Sequence, residues 1–406
     1  MPIVDVVPPP LSDLRLGHAA RFVLQDARGF SDPRPFLVGL AEALAHDGVD
    51  LERLYLVLAD LHPELAAVSA TWRKRSGAVV IEPRVWSGLN TAEFLASPIA
   101  RFHQRTHDVI RRKLCDPRCP TDFEIVHDLR ARGATDYLAF QLGNPLTQRL
   151  NVITFTTHQA GGFSDEQLLT LLSVQPLLAV VVEAYVAQHI ASSLLQTYLG
   201  QDAGARVLAG QVRRGQGEAI HAVISFCDLR DFTRLSERLS REALLTLLDD
   251  TFDAVVTAVA DHGGEVLKFI GDAVLSIFRA RPGEEADACI VARAASADVF
   301  ARVAEKNRDR RAGDDERPLI EVALSLHVGD VHYGNIGGPS RLDFTVIGPA
   351  VNLAARLQGL CSTLGRRALV SAAVARHLPG ACDDLGSHNI KGLSAPVHVY
   401  GLDVGR

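Results

Sequence analysis

Methionine and tryptophan are nearly absent from this chain: one Met and two Trp in 406 residues, with aromatic residues at 6%. Its interior must therefore be built from aliphatic side chains, and a hydrophobic content of 47% is enough for sizeable cores. Cysteine is sparse too. The six, at positions 115, 119, 227, 289, 361 and 382, are too scattered for a disulfide scaffold and fit a reducing compartment. Cys115 and Cys119, in "CDPRCP", lack the further ligands that a metal site needs and read as a plain loop. There is no excess of positive charge: 42 Lys+Arg stand against 48 Asp+Glu, a net of -6, which leaves no electrostatic footprint for nucleic acid or an anionic membrane. The opening "MPIVDVVPPPLSD" has no basic stretch followed by a long apolar run, so no signal peptide is expected. The most apolar window, "LLTLLSVQPLLAVVVEAYVA" at 168–187, is interrupted by Ser, Gln, Pro and Glu. A buried or dimer-forming helix is expected there rather than a membrane span, and the cytoplasm is the expected location.

The length suggests two or three domains. Residues 1–30 read as a proline-containing lead-in. "DPRPFLVGLAEALAHDG" reads as a helix capped by Asp32, and "LERLYLVLADL" and "AAVSATWRK" as strands. The stretch 84–135 reads as loops and helices, followed by strands in "TDYLAFQLG" and "RLNVITFTTH". In "FSDEQ", Ser164 and Gln167 have the spacing of a capping box, which opens a long closing helix. This order of elements over 31–196 resembles a GAF domain, a small α+β sensory module. A Gly-, Gln- and Arg-rich joint, 197–220, then leads into a second domain over 221–402.

In that second domain, strands, hairpins and amphipathic helices alternate, as in a ferredoxin-like α/β sandwich. "RDRRAGDDERP" reads as a solvated surface insertion. Asp228 closes the strand "HAVISFCDL", and Asp272 sits in the turn of the hairpin "GEVLKFIGDAVLSIF". A sheet can bring two such ends together, and two carboxylates suit a hard divalent cation that is bound partly through substrate phosphates. Acidic residues also cap strands for no functional reason, so the spacing alone does not decide. Asn352 and Arg356, in "VNLAAR", share one helix face. Lys268 stands among apolar strand neighbours, where a lysine needs a reason. Lys391 lies beside a glycine in "NIKGL".

Taken in order, "FCDLRDFTRLSE", "GGEVLKFIGDAVLSIF", "LHVGDVHYGNIG", "LDFTVIGPAVNLAARL" and "IKGLSAPVHVY" resemble the class III nucleotidyl cyclase catalytic domain over about half the chain. The resemblance implies that Asp228 and Asp272, with the backbone carbonyl of Leu229, hold two Mg²⁺ or Mn²⁺ ions per site. Phe232 and Thr233 would border the substrate. Asn352 and Arg356 would orient the ribose and stabilise the transition state, and Lys391 would hold the terminal phosphates. Lys268 would read the purine, with Thr345 at its usual partner's position and Asp343 outside it. Lysine at 268 implies ATP, converted to 3′,5′-cyclic AMP and pyrophosphate. Threonine at 345 marks a bacterial subclass in which bicarbonate is sometimes a stimulator. A head-to-tail homodimer is also implied, with the aspartates from one chain and the remaining residues from the other. The N-terminal half would then regulate, and a small molecule or bicarbonate is the expected kind of regulator for the chain. Asp231 departs from the pattern, which has glycine there. A guanylyl cyclase and a catalytically silent nucleotide-sensing module remain the alternatives.

Overall fold

A computed structural model describes residues 16–27, 29–59, 65–103, 109–143, 150–312 and 317–405, and the chain separates into two units, Met1–Leu194 and Leu195–Arg406. The first unit begins with α1 (His18–Gln25) and α2 (Pro33–His46), followed by β1 (Arg53–Ala59), β2 (Leu65–Arg73) and β3 (Val79–Val85). Short helices α3 (Ala92–Leu95) and α4 (Pro98–His103) come next, then β4 (Val109–Arg112), α5 (Glu124–Ala131), β5 (Asp136–Gln141) and β6 (Val152–Thr157). The 35-residue α6 (Asp165–Leu199) ends inside the second unit.

The six strands form one antiparallel sheet in the order β3-β2-β1-β6-β5-β4. α1, α2 and α6 bury Val23, Phe36, Leu40, Leu44 and Val182 against Leu56 and Phe155 on one face. α4 and α5 bury Phe102, Val126 and Leu129 against Val57, Tyr137 and Val152 on the other. The expected caps are formed. Asp32 accepts the Arg34 N–H at 2.9 Å, and Ser164 and Gln167 exchange backbone N–H bonds at 3.0 and 3.2 Å.

Two strands escape the sequence pattern because both are edges. β3 buries little and carries Pro83, which an edge tolerates. β4 is four residues long and lies inside the charged "RTHDVIRRKL", within the stretch expected to hold loops and helices; residues 105–108 of that segment lie outside the described residues. Among the described residues α6 is the one helix long and apolar enough to cross a membrane, and it buries Leu171, Val174, Leu178, Val182, Val186 and Ile190 in the first unit's core. Part of the expected lead-in, residues 18–25, is α1 itself, with Ala19 and Val23 buried; residues 1–15 lie outside the described residues.

The second unit contains α7 (Gln201–Leu208), β7 (Gly217–Leu229), α8 (Phe232–Arg238), α9 (Arg241–Asp261), β8 (Glu265–Ile270), β9 (Ala273–Ala280) and α10 (Glu285–Ala312). It continues with β10 (Val322–Gly337), β11 (Leu342–Ile347), α11 (Pro349–Thr363), β12 (Ala368–Ser371), α12 (Ala372–Ala375), β13 (Cys382–His388) and β14 (Val397–Leu402). The sheet runs β13-β14-β12-β10-β7-β9-β8, with β11 also paired to β10. Its centre, β10-β7-β9-β8, is antiparallel and is connected β7–α9–β8–β9–α10–β10, which is the βαββαβ order of a ferredoxin-like layer. β7 lies in the middle of the sheet and is buried at every position from Ala222 to Cys227, without alternation, because both of its faces are covered. Ser240 caps α9 through the Ala243 N–H at 3.2 Å.

One surface expectation fails at a single residue. "RDRRA" is the last turn of α10, and the Arg310 side chain is buried, bonded to Asp250 and to the Pro318 carbonyl. The neighbouring Arg308, Asp309 and Arg311 are exposed as expected, and Arg310 alone turns inward, where its terminal nitrogens find acceptors. Residues 313–316 of that segment lie outside the described residues.

Candidate functional site

The register of the sheet brings the two aspartates together. Cys227 of β7 pairs with Val274 of β9, so one step along β7 places Asp228 beside the turn at Gly271–Asp272. Gly271 supplies the positive φ, +67°, that this tight turn requires. Asp228, Leu229, Asp231, Phe232, Thr233, Arg234, Glu237 and Asp272 line one open cleft of about 520 Å³. Of the candidate residues, Asp228, Leu229, Phe232, Thr233 and Asp272 are therefore brought together.

Burial raises the Asp228 carboxyl to about 7, helped by a hydrogen bond with Asp272 and by that residue's like charge. The Leu229 N–H and Gln358 oppose the shift. Asp228 Oδ1 is buried without a hydrogen-bond partner. An orphaned carboxylate oxygen beside a second carboxylate fits a hard divalent cation whose remaining ligands come from phosphate and water. Among the described residues no group of three or more His, Cys, Asp or Glu is placed to hold a metal ion, so a cage made wholly of protein ligands is not available there.

The other candidates do not line this cleft. Lys268, on β8, forms an ion pair with Asp343 of β11. Asp343, rather than Thr345, is thus the residue that meets the Lys268 ammonium in this structure. Thr345 lies nearly buried on β11, opposite Gly334. Asn352 and Arg356 are exposed, one turn apart on α11, and Arg356 forms no ion pair with a described residue. Lys391 is exposed in a turn closed by Leu393 N–H to the Ile390 carbonyl, where Gly392 has φ +88°.

Two residues to which the sequence reading gave no role make contact with candidate residues. Gln358 donates from Nε2 to Asp228 Oδ2 at 3.2 Å. Its signal is faint: a polar residue one turn after buried Ala354, between buried Leu357 and Cys361. Asp343 is the other, and strand alternation puts it on the same side of β11 as Thr345. Asp231 has φ +57° and ψ +23°, the sole left-handed non-glycine conformation among the described residues. That geometry explains why a glycine suits the position. The Asp231 carboxylate turns outward, accepting from Arg234 Nη2 at 2.9 Å.

A paired-carboxylate cleft at the end of a ferredoxin-like sheet defines a domain suited to a divalent cation and a phosphate-bearing ligand. Residues 217–403, within the C-terminal unit, match the family model of the adenylate and guanylate cyclase catalytic domain. An adenylate cyclase of Anabaena cylindrica is 31% identical over 189 residues, which is 47% of this chain and 36% of that protein. Adenylate cyclase 1 of Rhizobium meliloti (strain 1021) is 32% identical over 186 residues, 43% of this chain and 26% of that protein. The alignments thus span about a third of these two relatives' length. Among solved structures, the adenylyl cyclase CyaB from P. aeruginosa aligns at 28% identity and a TM-score of 0.41, covering 47% of this chain and 97% of that one.

Proposed function

We propose that this chain is an adenylyl cyclase that converts ATP to 3′,5′-cyclic AMP and pyrophosphate at sites shared between two copies of the chain. The observation that carries the reading is the Asp228–Asp272 pair, with its unpartnered buried oxygen, inside a cyclase catalytic domain. Asp228, Asp272 and the Leu229 carbonyl hold Mg²⁺ or Mn²⁺ at the cleft. Phe232 and Thr233 border the phosphates. A bound cation would supply Lewis-acid polarisation and lower the pKa of the ribose 3′-hydroxyl. Asn352 of a second copy orients the ribose. Arg356 meets the charge that grows on the α-phosphate, Lys391 meets the terminal phosphates, and Lys268 with Thr345 faces the purine. The 3′-oxygen attacks the α-phosphorus, the bond to the bridging oxygen of the β-phosphate breaks, and pyrophosphate leaves. The hydroxyl proton passes to water. These residues act by positioning and electrostatics.

The absence of Lys268, Asn352, Arg356 and Lys391 from the aspartate cleft of a single chain supports a shared site. The six-stranded antiparallel sheet with helices on both faces supports a GAF-like regulatory first unit. Leu169 and Val180, 66% and 71% exposed on α6, support pairing of that helix with its mate. Incubating the purified chain with ATP or GTP and with Mg²⁺ or Mn²⁺ tests the reading. Cyclic AMP is expected. Cyclic GMP alone, or nucleotide binding without product, would replace it.

A further inference from the structure

Lys268 is aimed by the fold. β8 has a register shift between Val266 and Lys268, so Leu267 is an extra residue in the ladder, and it is buried. Such a bulge re-aims the side chain that follows it. On the other side, β11 is braced to β8 through β10. Phe344, next to Asp343, packs edge-on against Tyr333 with ring centroids 4.8 Å apart, and the Tyr333 hydroxyl donates to Glu265 Oε1 at 2.9 Å. Glu265 begins β8, the strand that carries Lys268. Asp343 then closes the arrangement by pairing with Lys268. The Lys268 ammonium holds the Asp343 carboxyl below the usual carboxylate range.

Both side chains are 40% exposed. An ion pair this open adds little to stability, so stability does not explain the convergence of a bulge, a braced strand and a carboxylate on one lysine. We propose that Asp343 is a specificity-determining positioning residue: it holds the Lys268 ammonium where the edge of an adenine ring arrives. This rests on the adenylyl cyclase reading above. Adenine presents an acceptor at ring N1 and guanine a donor there. An ammonium fixed at that point pairs with the first and meets the second donor to donor. A free lysine, by contrast, would swing to reach the guanine carbonyl instead. Thr345 lies two residues along the same side of β11, and its uncharged hydroxyl cannot hold an ammonium so firmly.

The test is equilibrium binding of 3′-deoxy-ATP and 3′-deoxy-GTP, which lack the attacking hydroxyl, to the full-length chain and to its Asp343→Asn and Asp343→Ala variants. Thermal melts check that the variants fold. Both variants are expected to bind the adenine nucleotide about tenfold more weakly and to narrow the adenine-to-guanine ratio by a similar factor. Asp343→Ala combined with Lys268→Ala is expected to lose no more than Lys268→Ala alone, because the carboxylate acts through the lysine. An unchanged ratio, additive losses, or tighter adenine binding in Asp343→Ala (the mark of a carboxylate that competes with the base) each overturns the proposal. So does a wild-type chain that binds both nucleotides equally. Binding does not require turnover, so a chain that prefers adenine yet makes no cyclic product would overturn the catalytic reading and leave this one standing.

Discussion

Gln358 and Asp228 join α11 to the end of β7: the amide Nε2 donates to carboxylate Oδ2 at 3.2 Å. The helix that presents Asn352 and Arg356 outward therefore braces the cleft carboxylate from its inner side. The donated bond favours the ionised form of Asp228. Gln358→Ala should leave the fold intact and weaken the cation response, because the ionised carboxylate loses about 1–1.5 kcal/mol of support. Turnover measured against Mg²⁺ concentration should show the half-maximal point rising about tenfold at neutral pH, with the plateau nearly kept. An unmoved Mg²⁺ curve would mean that the amide only fills space.

The raised Asp228 carboxyl predicts a pH dependence with a definite sign. The folded, cation-free protein keeps a proton there up to about 7, whereas the unfolded chain releases its proton near 3.8. The folded state thus binds more protons within that window, so this group's contribution to stability is complete below the window and lost as pH rises through it. A cation must displace the same proton, so its stabilising effect grows towards pH 8. Melting temperatures with and without Mg²⁺ should differ more at pH 8 than at pH 6. Asp272→Asn removes the like charge and should raise the cation-free melting temperature at pH 8 by about 2–8 °C while abolishing turnover. A Mg²⁺ shift of equal size at both pH values would reject the assignment.

The C-terminal unit was more legible in the sequence than the site's supporting contacts. β7, the β8–β9 hairpin, α9 and α11 announced themselves through apolar runs, a Gly-Asp turn and a serine cap, because each is a local pattern written in consecutive residues. β3, β4, β12 and β13 did not, since edge strands and short pieces draw their order from neighbours distant in the chain. The nearness of the two aspartates could be anticipated because strand ends and turns mark themselves. The pairing of Lys268 with Asp343 could not, because it depends on a bulge in one strand and on where another strand is braced. The burial of Arg310 was hidden for the same reason: its acceptor Asp250 lies 60 positions away in the chain.

A shared site makes a prediction that no single-chain site makes. Asp228→Ala and Arg356→Ala should each be inactive alone. Their mixture should recover about a quarter of the wild-type rate, because half of the randomly paired dimers are mixed and each mixed dimer holds one intact site of two. Tagged chains purified as heterodimers should reach about half. Demonstrated heterodimers with no recovered rate would place both residues in the same chain's site.

Asp231 offers the last test, because its backbone and its charge act in different ways. Replacing it with glycine relieves a left-handed conformation that costs an L-residue roughly 1 kcal/mol, but it also frees the unfolded chain by a similar amount, so stability should barely change. The charge is another matter. The Asp231 carboxylate is 68% exposed, borders the cleft and neutralises Arg234. Asp231→Gly removes one negative charge and releases one positive charge beside the place where the triphosphate would lie. At the high effective dielectric of an open cleft this amounts to about 0.5–1 kcal/mol, so the KM for ATP should fall about two- to fivefold with kcat little changed. Because the effect is electrostatic and exposed, it should shrink as salt is raised. A KM that is the same as wild type at low ionic strength would show that the outward-turned carboxylate never meets the nucleotide.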